Sequence, residues 1–223
     1  MPLSFRDTSK PVAEPVTLAQ ARQQCVVEAT FTDDDSLITA LITAARQLVE
    51  QKTNRAIYNR TVQLWLDFFP YSAYGGTTNP NDRHVMFGEF WNEIAIRLPK
   101  PACVSVTSIT YLDFNAVSHT LDPSAYFVDV NSEPARIVPN PGTYWPYSQS
   151  YLPGSVCVTY VAGTYGDGVT VDNCPATIKQ AMLLLISYWY NHRDAAEMVV
   201  PKAIEIGVDA LLAGETFDSF RWV

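Results

Sequence analysis

Between Pro175 and Arg193 the chain reads PATIKQAMLLLISYWYNHR, and Ile178, Met182, Leu185, Ile186 and Trp189 recur at the three- and four-residue steps of a helix. Leu183, Leu184 and Tyr188 make the opposite side apolar too. That pattern predicts a central helix buried on several sides, in a core or a subunit interface. Pro175 suits the first helical turn, and Asn173 or Cys174 before it is expected to cap. Lys179, Gln180, Asn191, His192 and Arg193 leave the run short of the roughly 20 apolar residues a membrane span needs, so no membrane contact is expected. A second helix is predicted in FTDDDSLITALITAARQLVEQKTNRAI. Its apolar face is Leu37, Ile38, Leu41, Ala45, Leu48 and Val49, with Thr39, Thr43, Arg46, Gln47 and Glu50 largely on the polar side. Asp33 to Asp35 are expected to cap it, and Asn54 to end it. Thr17, with Gln20 three residues on, predicts a capping box and a short helix to about Val27. A further short helix is expected near 207–213.

From Asn59 the period falls to two. In RTVQLWLDFFP, Val62, Leu64, Leu66 and Phe68 alternate with polar or bulky neighbours, as in a strand. EIAIRLP reads as a second alternating strand. PACVSVTSITYLDFNAVSHTL reads as strand, turn near Asn115 and return strand. AYFVDVNSEPARIVP gives two short strands about a turn at Ser132 to Pro134, and SVCVTYVAGT one more. Helices, then a β block, then helices indicate an α+β fold, a helical bundle with an inserted antiparallel β block. The expected division is an N-terminal arm over 1–16, a helical domain of 17–58 plus 173–213, an inserted β-rich region over 59–172, and a C-terminal tail over 214–223.

Composition narrows the function more than the fold. The 223 residues carry a formal net charge of −8, whereas a protein that grips duplex DNA by its phosphates is usually basic. Cys25, Cys103, Cys157 and Cys174 are widely spaced with no CxxC, which suits buried free thiols in a reducing compartment. The N-terminal MPLSFRDTSKPVAEP has no apolar h-region, so synthesis in cytoplasm is expected. His84, His119 and His192 fall in different segments, and no HExxH, GxSxG, GxGxxG or GxxxxGK[ST] pattern occurs. The Gly163–Gly168 run lacks the following lysine and reads as a strand-to-helix loop. No catalytic residue, cofactor or metal site is expected.

Two stretches instead suit protein contact. The long loop 71–92 holds Tyr71, Tyr74, Phe87, Phe90 and Trp91; exposed aromatics more often mark protein interfaces than ligand platforms. The tail GETFDSFRWV places Phe217, Phe220, Arg221 and Trp222 together, and Trp and Arg are enriched among interface hot spots. The competing reading is that the tail folds back and caps the main helix.

The ordered series DDDSLITALITAARQLVEQKTNRAI, TVQLWLDFFP, IRLPKPACVSVTSITYLD, LDPSAYFVDVNSEPARIVP, VCVTYVAGT, PATIKQAMLLLISYWYNHRDA and VDALLA resembles the head–tail connector (adaptor) proteins of tailed phages and prophages, the gp6-like and gp8-like group. The resemblance covers about residues 17–215; the loop 71–92 and the tail after Leu212 depart from it. It implies a structural virion protein rather than an enzyme. Such a protein would form a homo-oligomeric ring, often of twelve, beneath the portal protein. It would extend a channel through which DNA passes without specific binding, and would offer a surface to a downstream neck or tail-completion protein. Its place would be the virion neck, with host cytoplasm as the site of assembly. Three other readings stay open at this point: a neighbouring neck or tail-completion protein, a cysteine hydrolase using Cys157 or Cys174, and a glycan-binding β module using the 71–92 aromatics.

Overall fold

The computed structural model describes residues 3–28, 30–70, 94–148, 152–193 and 202–217. The fold is α+β with an antiparallel β block. The chain divides into two compact units, one of residues 1–10 and 60–162, the other of residues 11–59 and 163–223.

The first unit holds all the strands among the described residues. A five-stranded antiparallel sheet runs in the order β1 (Leu3–Asp7), β2 (Arg60–Leu66), β8 (Val156–Ala162), β4 (Cys103–Leu112), β5 (Ser118–Thr120). A three-stranded sheet runs β3 (Ile96–Arg97), β7 (Arg136–Pro139), β6 (Tyr126–Asp129). The period-two pattern sets the register. Leu64 pairs with Val158 and Leu66 with Val156, so one face of the central strands is buried and the other half-exposed. Tyr160, buried on that inner face, satisfies its hydroxyl by donating to the Pro99 carbonyl.

Three expectations for this unit change. Residues 3–7, read as arm, form the edge strand β1, paired with β2 from Leu3 opposite Leu66 to Asp7 opposite Val62. Asp7 locks that edge by accepting from Arg60 at 3.1 Å and Lys100 at 2.7 Å. Burial alone would raise its pKa, but the two cations outweigh burial and hold the carboxyl below its ordinary value. The alternation of β2 stops at Leu66, so Phe69 rather than Phe68 is buried, its ring stacked on Trp145 at 5.0 Å. The break comes at Asp67, whose carboxylate accepts from the Gly154 amide and whose carbonyl accepts from Ser155. In EIAIRLP the residues Ile94, Ala95, Ile96 and Leu98 are all buried, and only Ile96–Arg97 forms a strand. The Ile94 carbonyl is taken by the Trp145 indole at 2.7 Å rather than by a sheet neighbour.

The second unit is helical: α1 (Leu18–Gln24), α2 (Asp35–Thr53), α3 (Ala176–Asn191) and α4 (Lys202–Leu212). Its core joins Val16, Ala21, Ile38, Ile42, Ala45 and Val49 to Ile178, Met182, Leu185, Ile186, Val208 and Leu212. The Thr17–Gln20 capping box forms, and Asn54 ends α2 in the left-handed conformation with φ 54°. No helix among the described residues is long and apolar enough to cross a membrane.

Here too tertiary contacts redirect side chains. Pro175 itself is the N-cap of α3, without a side-chain cap from Asn173 or Cys174. Asp34 does not cap α2 with its side chain; its carboxylate accepts from the Tyr190 hydroxyl at 2.7 Å and Arg193 at 2.8 Å, tying α2's start to α3's end. Asp35 pairs with Arg22 of α1. Arg46 and Glu50, placed on the polar face of α2 by periodicity, are buried. Arg46 bridges Glu14 at 2.8 Å and Glu50 at 2.9 Å, and Glu50 also accepts the Ile57 amide. Buried charges persist only when paired in this way.

Candidate functional site

At the carboxyl end of α2 the helix stops on Asn54, and the following residues 56–59 run beside the loop that leaves β8's end. Thr164 donates to the Ala56 carbonyl, Tyr165 to Ile57, and Asn59 to Gly166, at 2.9 to 3.0 Å. Glycine is required within that run. A Cβ at Gly163 would lie 2.2 Å from the Asn59 side-chain oxygen, and Gly168, at φ +76°, lies against the Tyr58 ring. The Asp167 carboxylate closes the turn by accepting from the amides of Val169, Thr170 and Val171 and from the Thr170 hydroxyl. The Thr170 hydroxyl is the largest cause of a pKa held far below the ordinary carboxylate range. The glycine run is therefore a strand-to-helix loop, and it carries Tyr165 alongside Ile57.

The chain returns to this end of α2 after α4. Lys52 holds α4 through Asp209 at 2.9 Å and Glu205 at 3.7 Å. Beyond α4 the Phe217 amide donates to the Thr53 carbonyl at 2.8 Å, which satisfies one of the carbonyls a helix end leaves orphaned. The Asn54 side chain donates to the Phe217 carbonyl at 3.1 Å, and Arg55 donates to the Glu215 carbonyl at 2.8 Å. The Arg55 guanidinium lies 5.8 Å from the centre of the Phe217 ring. Tyr165 donates to the Glu215 carboxylate, and burial first, then that carboxylate, pushes the phenol's pKa upward. Together these residues form a clasp around the root of the tail.

Phe217 is the one candidate contact residue among the described residues. It meets Thr53, Asn54 and Arg55 at the end of α2. Phe220, Arg221 and Trp222, and Tyr71, Tyr74, Phe87, Phe90 and Trp91, lie outside the described residues. The structure also exposes apolar side chains that periodicity did not single out: Phe114, 61% exposed at the tip of the β4–β5 hairpin, Tyr147 beside it at 71%, and Phe127 at 58% on the edge strand β6. A phenylalanine in the turn DFNAV was the available signal for the first. That turn is built by Asp113, whose carboxylate accepts from Asn115 and Val117 and pairs with His119.

Among the described residues, the thiols and the histidines His119 and His192 are engaged in other contacts, and His84 lies outside the described residues. Burial raises all four thiols, Cys103 to about 11 and Cys174 to about 12, which keeps them protonated and unreactive at neutral pH. His119 is engaged by Asp113, and His192 is hydrogen-bonded to the Tyr188 carbonyl at 2.9 Å. No group of three or more His, Cys, Asp or Glu suited to a metal ion occurs among the described residues. Single replacement of Cys25, Cys103, Cys157 or Cys174 by Ser or Ala is expected to leave assembly intact, with packing losses of about 1 to 2 kcal/mol seen as a lower melting temperature. Loss of function in a folded single variant would bring back a chemical role.

No protein-family model and no curated protein sequence matches the chain. Among solved structures, it is similar to a chain in the neck of an empty GTA particle computed with C6 symmetry. The TM-score is 0.71 at 17% identity, over 96% of both chains. It is also similar to chains in the virion of the native gene transfer agent (TM-score 0.68, 16% identity, 96% of this chain and 95% of that one) and in the neck of the native particle computed with C12 symmetry (0.65, 18%, 96% of both). At these identities the likeness is one of fold, and it spans both units.

Proposed function

We propose that this chain is a structural subunit of the neck of a phage-like particle: an adaptor that forms a ring, twelve-fold, under the portal protein. The ring extends the DNA channel and receives the next neck or tail-completion protein. The observation that carries this reading is the shared fold with neck chains over nearly the whole of both partners. Further support comes from the solution of those neighbours under six- and twelve-fold symmetry. A closed ring of identical subunits needs two different, mutually complementary faces on each, and the exposed aromatics Phe114, Phe127 and Tyr147 of the β unit supply candidates. The tail residues Phe220, Arg221 and Trp222 are proposed to dock on the portal ring, and the loop aromatics Tyr71, Tyr74, Phe87, Phe90 and Trp91 to meet neighbouring subunits or neck components.

The deciding experiment is native mass and co-sedimentation with purified portal rings of the same particle. A ring, or a monomer that becomes a ring on portal, is expected. A monomer that ignores portal but joins heads only after another neck protein would move the chain one place along the neck. The channel role carries its own prediction. At a net charge of −8 the isolated protein should not retain duplex DNA at physiological salt. A gel-shift titration showing tight binding that falls steeply with salt would overturn it.

A further inference from the structure

The five-stranded sheet ends in two edges, and among the described residues no strand lies outside β1 or β5. Thr8 donates to the Thr61 carbonyl at 2.9 Å, and bonded pairs recur at every second residue of an antiparallel ladder. Ser4 and Arg6 therefore turn their amides and carbonyls toward β2, while Leu3, Phe5 and Asp7 turn theirs outward. On the other edge Asp113 donates to the Val117 carbonyl and Leu121 to that of Ile109. This commits His119 to β4 and turns the amides and carbonyls of Ser118 and Thr120 outward. Neither edge strand carries a lysine, a proline or a bulge, the usual means of blunting an edge. Asp7 is neutralised by Arg60 and Lys100, and the Arg6 guanidinium lies over the Trp65 ring at 5.0 Å.

We propose that the subunits of the ring join by these two edges, β1 of one copy pairing in parallel with β5 of a second, with Phe5 opposite His119. The inference rests on the ring reading and adds where identical subunits meet. The direction follows from the topology. Every pairing from β1 through β2, β8 and β4 to β5 is antiparallel, so β1 and β5 run the same way. Rotation about an axis along the strands keeps that direction and makes the join heterologous, as a ring requires. The register follows from the outward groups. Phe5 donates to the Ser118 carbonyl and accepts from the Thr120 amide; Asp7 donates to Thr120, and Leu3 accepts from Ser118. The faces agree, which a slip of one residue would reverse. Phe5 lies across from Leu64, and His119 lies on that same face through Tyr111, which is opposite Val156 and so in line with Leu66. His119 is stacked on Tyr111 at 5.5 Å, and both Phe5 and His119 are exposed in the single subunit. The join adds Phe5 to that aromatic row. On the opposite face it brings Arg6 of one copy to the side of Thr120 and Asp122 of the next, so the charges at the join are of opposite sign.

The test uses the full chain, alone and with purified portal rings. In the double variant Phe5→Cys, His119→Cys, mild oxidation should link copies into a ladder of covalent oligomers up to the full ring, because each subunit then offers one thiol at each join. The parent and either single variant should give no ladder. Arg6→Cys with His119→Cys puts the thiols on opposite faces and should not link. Thr120→Pro deletes a donor that β4 does not use, so melting should hold while the concentration for half-assembly rises about tenfold, the loss of roughly one net hydrogen bond per join. Rings that form without the link between positions 5 and 119 would overturn the inference and leave the ring reading standing. A covalent dimer from Phe5→Cys alone would overturn it in favour of two-fold pairing of β1 with β1. A parent that stays monomeric on portal would remove the ring reading, and the inference with it.

Discussion

Leu185→Asp should give no soluble, cooperatively folding protein. Leu185 is 1% exposed at the centre of α3, in the cluster with Ile38, Ile42, Val49 and Val208. A carboxylate there would lie within this hydrophobic cluster. Either it ionises unpaired in an apolar site or it takes up a proton at a free-energy cost, and the cavity left by the leucine adds to both. Buried unpaired charge belongs to the few mechanisms that cost more than about 4 kcal/mol, a large share of a domain's total stability of roughly 5–15 kcal/mol. Expression in the insoluble fraction, or a flat thermal melt followed by circular dichroism, is the expected observation. A soluble variant with a sharp melt would show that α3 is misplaced. Leu184→Asp, one residue along on the half-exposed side of the same helix, is the matched control, and should fold at a much smaller cost.

Ending the chain after Phe217 should abolish or sharply reduce incorporation into heads while leaving the melting temperature of the free subunit unchanged. The clasp and all its partners remain, and only the residues carrying Phe220, Arg221 and Trp222 are lost. Ending it after Ala213 is a different experiment. Glu215 and Phe217 go too, and with them the bonds they make to the Thr53 carbonyl and the Tyr165 hydroxyl. Unpaired groups of this kind cost about 1–3 kcal/mol each when water cannot reach them. In a chain of this size each kcal/mol lowers the melting temperature by about 2–4 °C. Equal melting of the two truncations would show that the clasp adds no stability. Normal head joining by the chain ending at Phe217 would remove the docking role.

Features decided within a few residues were legible in the chain alone. The capping box needs only Thr17 and Gln20, the stop of α2 only the tolerance of Asn54 for positive φ, and the buried faces of β2, β8 and α3 only a period of two or of about 3.6. The α+β class follows from the order of those periods. Long-range folding decided each feature whose second partner lies far along the chain. Leu3–Asp7 become a strand because Val62–Leu66 offer an open edge, an edge invisible from the composition of the first residues. Arg46 and Glu50 go inside because Glu14 and the Ile57 amide meet them there. Asp34 abandons the cap for the distant Tyr190 and Arg193. Phe217 read as one aromatic of a terminal segment until Thr53, Asn54 and Arg55 fixed it. Local pattern measures which face a residue prefers. Which polar groups find partners depends on the path of the whole backbone, because a buried charge or an orphaned carbonyl is stabilised only by the group that folding brings to it.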